Sequence, residues 1–143
     1  METYRYFEDF AVGDQYETAS IPVSEADIIG FAEHFDPQPM HLGGANLIAS
    51  GWHTAALTMR LFVICDECRP PPGSLGLGVS KLTWSRPVRP GDRLHIRIEV
   101  LTLRRSASHP GHGIATYRFS TFNQNGELVQ TMESSMLLPC HHG

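Results

Sequence analysis

The sequence predicts an α+β domain in which an antiparallel sheet wraps around one apolar helix. Residues 51–64 are apolar on nearly every helical face, and such a helix needs cover from other elements. From residue 77 onward, apolar and polar residues alternate with the period of a strand. A chain of 143 residues has the length of one domain with a single core. We therefore expect residues 1–143 to form one domain.

The first half of the chain predicts one strand and two helices. Residues 15–21 are expected to form a short strand, and Ser24 with an acidic residue three positions later begins a helix over 25–35. An Asp-Pro pair ends this helix, because the residue before proline disfavours helical geometry. Residues 36–50 form a loop. The apolar helix then begins at Ser50 or Gly51 and is expected to continue to the Arg-Pro-Pro-Pro-Gly segment.

Four strands are expected in the second half, over 77–84, 93–103, 114–122 and 128–139. An Asn-Gly pair between the last two signals a hairpin. About five antiparallel strands around one helix correspond to the hot-dog architecture. A single copy of that fold has an open sheet edge and a half-covered helix, so we expect a homodimer or a dimer-based oligomer.

Composition argues against several classes of protein. The net charge of −4 and the pI near 6.0 give no support for nucleic-acid binding. No apolar run approaches the roughly 20 residues of a membrane span, and the N-terminus lacks the basic and apolar regions of a signal peptide. We expect a cytoplasmic protein with no membrane or nucleic-acid partner.

The cysteines offer one alternative, a metal site. Cys65 and Cys68 form a C-x-x-C pair, and Cys140 precedes two histidines, so together they could bind zinc. The pair, however, ends an apolar helix, and the second group lies in the last four residues, where chains usually fray. We therefore expect no metal.

The loop at 36–50 carries the residues with the clearest chemistry. Asp36 and His41 are five positions apart, and Pro37 and Pro39 stiffen the backbone between them. A carboxylate beside an imidazole can share proton transfer near neutral pH. Gly51 begins the apolar helix, where unpaired N–H groups can hold a developing oxyanion. Each residue alone has an ordinary structural explanation as a cap or turn former, but their combination on one loop favours a site.

The stretch FAEHFDPQPMH resembles the signature of the MaoC-like, R-specific enoyl-CoA hydratase family: Asp, any residue, Asn, Pro, any residue, His, after an aromatic-rich helix. Asp36, Pro39 and His41 match in register, and Gln38 replaces the asparagine. LIASGWHTAALTMRL resembles the start of the family's central helix, and LTWSRPVRPGDRL its strand and turn. The resemblance covers essentially the whole chain.

The resemblance implies a function. Asp36 and His41 would activate a water that adds reversibly across the double bond of a trans-2-enoyl thioester, such as an acyl-CoA. The Gly51 N–H matches the family's oxyanion donor, and no cofactor or metal is implied. The segment after His41 is several residues shorter than in the family, which leaves the length of the acyl chain open.

Five further residues are expected to bind substrate. Gln38 stands inside the matched motif, Met40 and Trp52 could line the acyl pocket, and Arg86 and Arg89 could contact CoA phosphates.

Three rival interpretations remain. His34 could be the histidine of a carrier-protein dehydratase, but residues 51–64 contain no acidic partner. A hot-dog thioesterase or a non-catalytic acyl-CoA binder would share the same fold.

Overall fold

The computed structural model describes residues 3–142, which form two α-helices and six antiparallel strands. The helices are α1 (Glu25–Phe35) and α2 (Gly51–Val63). The strands are β1 (Gln15–Glu17), β2 (Ile21–Pro22), β3 (Leu75–Trp84), β4 (Arg93–Arg105), β5 (His112–Phe122) and β6 (Leu128–Pro139). Two single 3₁₀ turns cover Phe7–Asp9 and Pro39–His41.

The strands form one sheet in the order β1-β4-β5-β6-β3, and β2 pairs with the N-terminal end of β4. All of these pairs are antiparallel. Helix α2 packs across the inner face, where the Phe62 ring lies 4.9 Å from that of Phe119 and 5.1 Å from that of Tyr117. A curved antiparallel sheet around a central helix is the hot-dog fold, so the predicted fold class is confirmed.

Alternation along β4 shows why the sheet has one dry face. Leu94, Ile96, Ile98 and Val100 are at most 2% exposed, whereas the residues between them are partly exposed. Each such burial contributes about 1.5–3 kcal/mol. The described residues share one hydrophobic core, to which both helices contribute.

The predicted strand over residues 15–21 is divided in two. Thr18 donates its N–H to the carbonyl of Ile96 at 3.1 Å, but the Ile96 N–H donates to the Thr18 hydroxyl at 3.0 Å. The side chain thus replaces a backbone acceptor, and regular pairing stops between β1 and β2. Local competition of this kind is typical of threonine.

Helix α2 ends at Val63, several residues before the predicted end. The Arg69 guanidinium donates to the carbonyls of Val63 and Ile64, both at 3.0 Å. These are carbonyls that have no partner inside the helix. Tight turns through Cys65 and Cys68 then replace helical hydrogen bonds.

The cover that the apolar helix α2 needs is incomplete in a single chain, as expected for one copy of this fold. Trp52 is 60% exposed, and Ala56 and Val63 are also exposed. Trp52 and Ala56 line an apolar groove of about 500 Å³ together with Val79 and Met132. The sheet covers one side of the helix, and apolarity alone cannot indicate whether the remaining cover comes from the same chain.

Candidate active site

The turn after α1 brings Asp36 and His41 together. Asp36 ends the helix with its N–H donating to Ala32 O at 2.9 Å, and its φ of −154° turns the chain away from the helix axis. A 3₁₀ turn then folds the chain back, with the His41 N–H donating to Gln38 O at 2.9 Å. Asp36 Oδ2 and His41 Nε2 are consequently 3.4 Å apart.

The imidazole of His41 is held in one orientation. Its Nδ1 lies 2.7 Å from the carbonyl oxygen of Ile48. Because a carbonyl only accepts, Nδ1 must carry the hydrogen, and in the neutral ring Nε2 presents a lone pair towards Asp36. His41 is 4% exposed, so its ring has little freedom to move.

The carboxylate of Asp36 accepts two hydrogen bonds. The Gln38 amide donates to Oδ1 and the Ser50 hydroxyl donates to Oδ2, both at 2.7 Å. These two bonds, first from Gln38 and then from Ser50, lower the pKa of Asp36, and the neighbouring His41 also favours the charged form. Asp36 is therefore ionised at neutral pH.

The 3.4 Å separation of the pair follows from these assignments. In the neutral form of His41, with its hydrogen on Nδ1, both Nε2 and Oδ2 are acceptors, so no direct hydrogen bond joins them. A water molecule has two hydrogens and can donate one to each. One bound water therefore supplies the two hydrogens that these two acceptors need.

Ser50 is a site residue that sequence reasoning recognised only as the start of a helix. Its hydroxyl oxygen accepts from the Trp52 N–H at 3.3 Å as a cap, while its hydrogen goes to Asp36. A serine before a helix signals the cap. Nothing local signals the second contact, which is with a residue 14 positions away.

Gly51 is the first residue of α2 and lines the same cleft as Asp36 and His41. The Ser50 carbonyl accepts from His53 and Thr54, and the Ser50 hydroxyl accepts from Trp52. Within residues 3–142, the Gly51 N–H has no hydrogen-bond acceptor. The helix N-terminus therefore offers a free donor beside the acid–base pair.

A cleft of about 430 Å³ joins these groups. It contains most of the predicted site residues: Asp36, Gln38, Met40, His41, Gly51, Trp52 and Arg86. Its walls also include Trp84 and Val88, which the sequence did not single out. Arg89 does not line this cleft but lies on the adjoining surface beside Pro90. Arg86 is paired with Glu127 at 3.2 Å.

The residues of the alternative sites lie elsewhere. His34 is exposed, bonds to Gly30 O at 2.8 Å and is not part of the cleft. Cys65, Cys68 and Cys140 are free thiols. The described part of the chain contains no group of three His, Cys, Asp or Glu side chains arranged to hold a metal ion. Neither of its helices has the length and hydropathy of a membrane span.

Comparisons with known proteins give the family. The profile of the MaoC like domain matches residues 9–121, which include the whole loop and both helices. The uncharacterized protein YdeM of Bacillus subtilis (strain 168) is 33% identical over 139 residues, covering 92% of this chain and 96% of that protein.

Solved structures extend the likeness to three dimensions. A MaoC-like dehydratase from Rhodospirillum rubrum is 40% identical, with a TM-score of 0.86 and coverage of 96% of this chain and 98% of that one. An (R)-hydratase from A. caviae, involved in PHA biosynthesis, is 30% identical, with a TM-score of 0.73 and coverage of 92% and 99%. The fold, the loop and the matched profile agree, and the chain belongs to the MaoC-like domain family.

Proposed function

We propose that this protein catalyses the reversible hydration of a trans-2-enoyl thioester, in the acyl-CoA form, to the 3-hydroxyacyl thioester. The observation that carries the proposal is the pair of acceptors, Asp36 Oδ2 and His41 Nε2, 3.4 Å apart in a cleft with a free helix N–H. Similarity to a MaoC-like dehydratase and an (R)-hydratase supports the reaction class.

The chemistry needs only the chain's own groups. The water oxygen bonds to C3 of the enoyl group while one of its protons passes to the Asp36–His41 pair. The π electrons of the double bond move towards the thioester carbonyl, and the Gly51 N–H donates to the resulting enolate oxygen. A proton from the pair then bonds to C2, so that H and OH have been added and the pair is restored.

The electrostatics of the pair suit this proton movement. When His41 Nε2 receives the proton, the imidazolium forms 3.4 Å from the ionised Asp36. The opposite charges attract one another. The hydrogen on Nδ1 already donates to Ile48 O, so Nε2 is the nitrogen that gains and loses a proton.

Substrate contacts follow from the walls of the cleft. Met40 and Trp52 are the apolar side chains that would meet the acyl group, and Gln38 is the amide beside the carboxylate. Arg86 at the rim and Arg89 on the adjoining surface are the cations that would meet CoA phosphates.

Crotonyl-CoA, with longer and branched enoyl-CoA thioesters beside it, tests the proposal. Hydration removes the absorbance of the conjugated enoyl thioester and releases no thiol, which a thiol reagent measures in the same sample. Release of free CoA would instead identify a thioesterase. Binding of the thioesters without either change would identify a non-catalytic acyl-CoA binder.

We also propose that the protein is a homodimer. Strand β3 lies at the edge of the sheet, bonded only to β6 in the described chain, and its Leu75, Leu77 and Val79 are 49–59% exposed. The apolar groove between β3 and α2 adds to this surface. A long apolar edge strand invites pairing with another strand, and a second copy supplies one.

Light scattering of the purified protein at micromolar concentration should give twice the mass of the 15.9 kDa chain. Val79→Lys should shift the protein towards the monomer, because a charge would lie in the covered groove. Val12→Lys, at an exposed position outside β3, is the control and should leave the mass unchanged. A monomeric wild-type protein contradicts the proposal.

A further inference from the structure

Trp84, the last residue of β3, forms the wall of the cleft beside Gly51. A Cβ added at Gly51 would lie 2.5–2.8 Å from three atoms of the indole ring, closer than Cβ atoms approach other heavy atoms. The same ring meets the Trp52 ring edge to face, with 5.4 Å between centroids. The position of the Trp84 ring therefore sets the space available next to the free N–H of α2.

A chain of hydrogen bonds that leads from Trp84 into the core holds this ring. Trp84 Nε1 donates to Gln130 Oε1 at 2.8 Å, and Gln130 Nε2 donates to Thr58 Oγ1 at 2.9 Å. Thr58 Oγ1 lies 2.7 Å from Thr121 Oγ1 and donates to Thr54 O at 3.0 Å. Gln130, Thr58 and Thr121 are all completely buried. The chain thus connects the indole to the middle of α2.

The direction of both bonds made by Gln130 is determined. An indole N–H only donates, so Gln130 must present its oxygen to Trp84 and its NH₂ to Thr58. The Thr58 oxygen accepts from Gln130, and its hydroxyl hydrogen can go to Thr54 O or to Thr121 Oγ1. A different orientation of the amide would leave buried groups unpaired, which is costly. Gln130 is therefore a rigid support.

An irregularity in β3 brings the two side chains face to face. Residues 81–82 of β3 together oppose the single residue Met132 of β6, and the first of the two has a φ of 53°. Because side chains alternate along a strand, the extra residue places Trp84, instead of Thr83, opposite Gln130. Bulges commonly redirect a side chain beside a site in this way.

We propose that Gln130 is a positioning residue of the active site, which fixes the Trp84 indole against the N-terminus of α2. The fixed ring confines the thioester carbonyl to one position beside the Gly51 N–H. This inference rests on the proposed hydration for its kinetic consequence, but the coupling between Gln130, Trp84 and Gly51 is a property of the fold alone.

Kinetics with an enoyl-CoA substrate test the catalytic part. Gln130→Met keeps the length of the side chain and removes both hydrogen bonds, so the ring gains freedom. We expect kcat to fall about tenfold, with KM within about twofold of the wild type, because misplacement of bound substrate slows the reaction more than it weakens binding. Unchanged kcat in Q130M would overturn the proposal.

Thr116→Val is the matched control. It removes a different side-chain hydrogen bond made by β6, the one between Thr116 of β5 and Ser135 at 2.9 Å, five residues along β6 from Gln130. We expect wild-type kcat and KM in this variant. An equal fall of kcat in T116V would mean that any weakening of the sheet slows the enzyme, and the positioning role would be lost.

A double-mutant cycle tests the coupling without any substrate. Gly51→Ala should lower Tm strongly in the wild type, because the added methyl group meets a fixed ring, and less strongly in Q130M, where the ring can move. Equal losses in both backgrounds overturn the positioning role. If Q130M does not fold, Trp84→Phe, which removes the indole N–H, takes its place in both experiments.

The two experiments separate two failures. An inactive wild-type protein with clear coupling between Gly51 and Gln130 would overturn the hydratase proposal and leave the support of Trp84 by Gln130 intact. An active protein without that coupling would overturn only the positioning role.

Discussion

At the scale of single residues, the chemistry of the site depends on which atoms hold hydrogens. Ile48 O determines the tautomer of His41, while Gln38 and Ser50 keep Asp36 ionised. Two acceptors then face one another at 3.4 Å. In the proposed hydration, such a pair would bind water through both of the water's hydrogens and take a proton when the water reacts.

Removal of either acceptor should abolish most of the activity. We expect Asp36→Asn and His41→Ala each to lower the rate of hydration at least about 100-fold, since a positioned acid–base group typically contributes 10²–10⁴-fold. Circular dichroism should show an intact fold, because both groups border an open cleft. Activity near that of the wild type in either variant would remove the pair from the mechanism.

Loss of the Ser50 hydroxyl should change the pH dependence. The hydroxyl donates to Asp36 Oδ2 and lowers the pKa of that carboxyl. In Ser50→Ala the pKa rises, so the acid limb of the kcat/KM profile should move to higher pH. Ser80→Ala, at an exposed position on β3, serves as the control. An unmoved acid limb in S50A would show that Asp36 does not control that limb.

At the scale of secondary structure, short irregular segments between and within the regular elements position the residues of the site. The 3₁₀ turn Pro39–His41 returns the imidazole to the end of α1, and the Ser50 cap begins α2 beside it. The bulge in β3 places Trp84 opposite Gln130. Each interruption is short and local, yet together they align four separate segments on one cleft.

Replacing glycine by alanine at two positions in these elements should change the free energy of unfolding in opposite directions. In β5, a Cβ at Gly113 would collide with the buried ring of Phe7, so Gly113→Ala should lower the free energy of unfolding by about 1–3 kcal/mol. Gly30 in α1 has open space around its Cβ direction, so Gly30→Ala should raise it by about 0.5–1 kcal/mol. Urea denaturation measures both.

The collision itself can be checked with a second change. Phe7→Leu in the Gly113→Ala background should recover part of the loss, because the smaller side chain makes room for the methyl group. An additive loss in the double variant would contradict this explanation.

At the scale of the whole molecule, the chain ends are joined by a charged contact. His141 Nε2 lies 2.8 Å from Asp9 Oδ1, and its backbone N–H donates to Glu8 at 3.1 Å. The hydrogen bond to Asp9 raises the pKa of His141. Burial alone would raise the pKa of Asp9, but hydrogen bonds from His141 and from the Tyr6 N–H outweigh it and lower that pKa.

This contact should make stability depend on pH. Because the pKa of His141 is raised in the folded state, its contribution is complete below the unfolded value of about 6.5 and disappears as pH rises through the folded value. His141→Gln should therefore be less stable than the wild type at pH 6. The difference should shrink at pH 9. A difference of the same size at both pH values, measured by urea denaturation, would contradict a role for the charge.

The larger elements could be predicted because their signals are local. The caps and apolar spacing define α1, and alternation defines β4, β5 and β6, whose predicted positions are confirmed to within two residues. The division of the first strand and the early end of α2 could not be predicted. Both depend on side chains, Thr18 and Arg69, that bond to backbone groups outside the local pattern.

What the sequence determined by itself was the fold class and the acid–base loop. Hydrophobic periodicity is a local property, and the five-residue spacing of Asp36 and His41 lies within one short turn. Only the tertiary structure decided which ring nitrogen of His41 carries the hydrogen. It also decided that the Ser50 hydroxyl bonds to Asp36 as well as capping α2, and that Gln130 holds Trp84 against Gly51. These contacts join residues from 7 to 46 positions apart, and their geometry exists only after the sheet has curved around the helix.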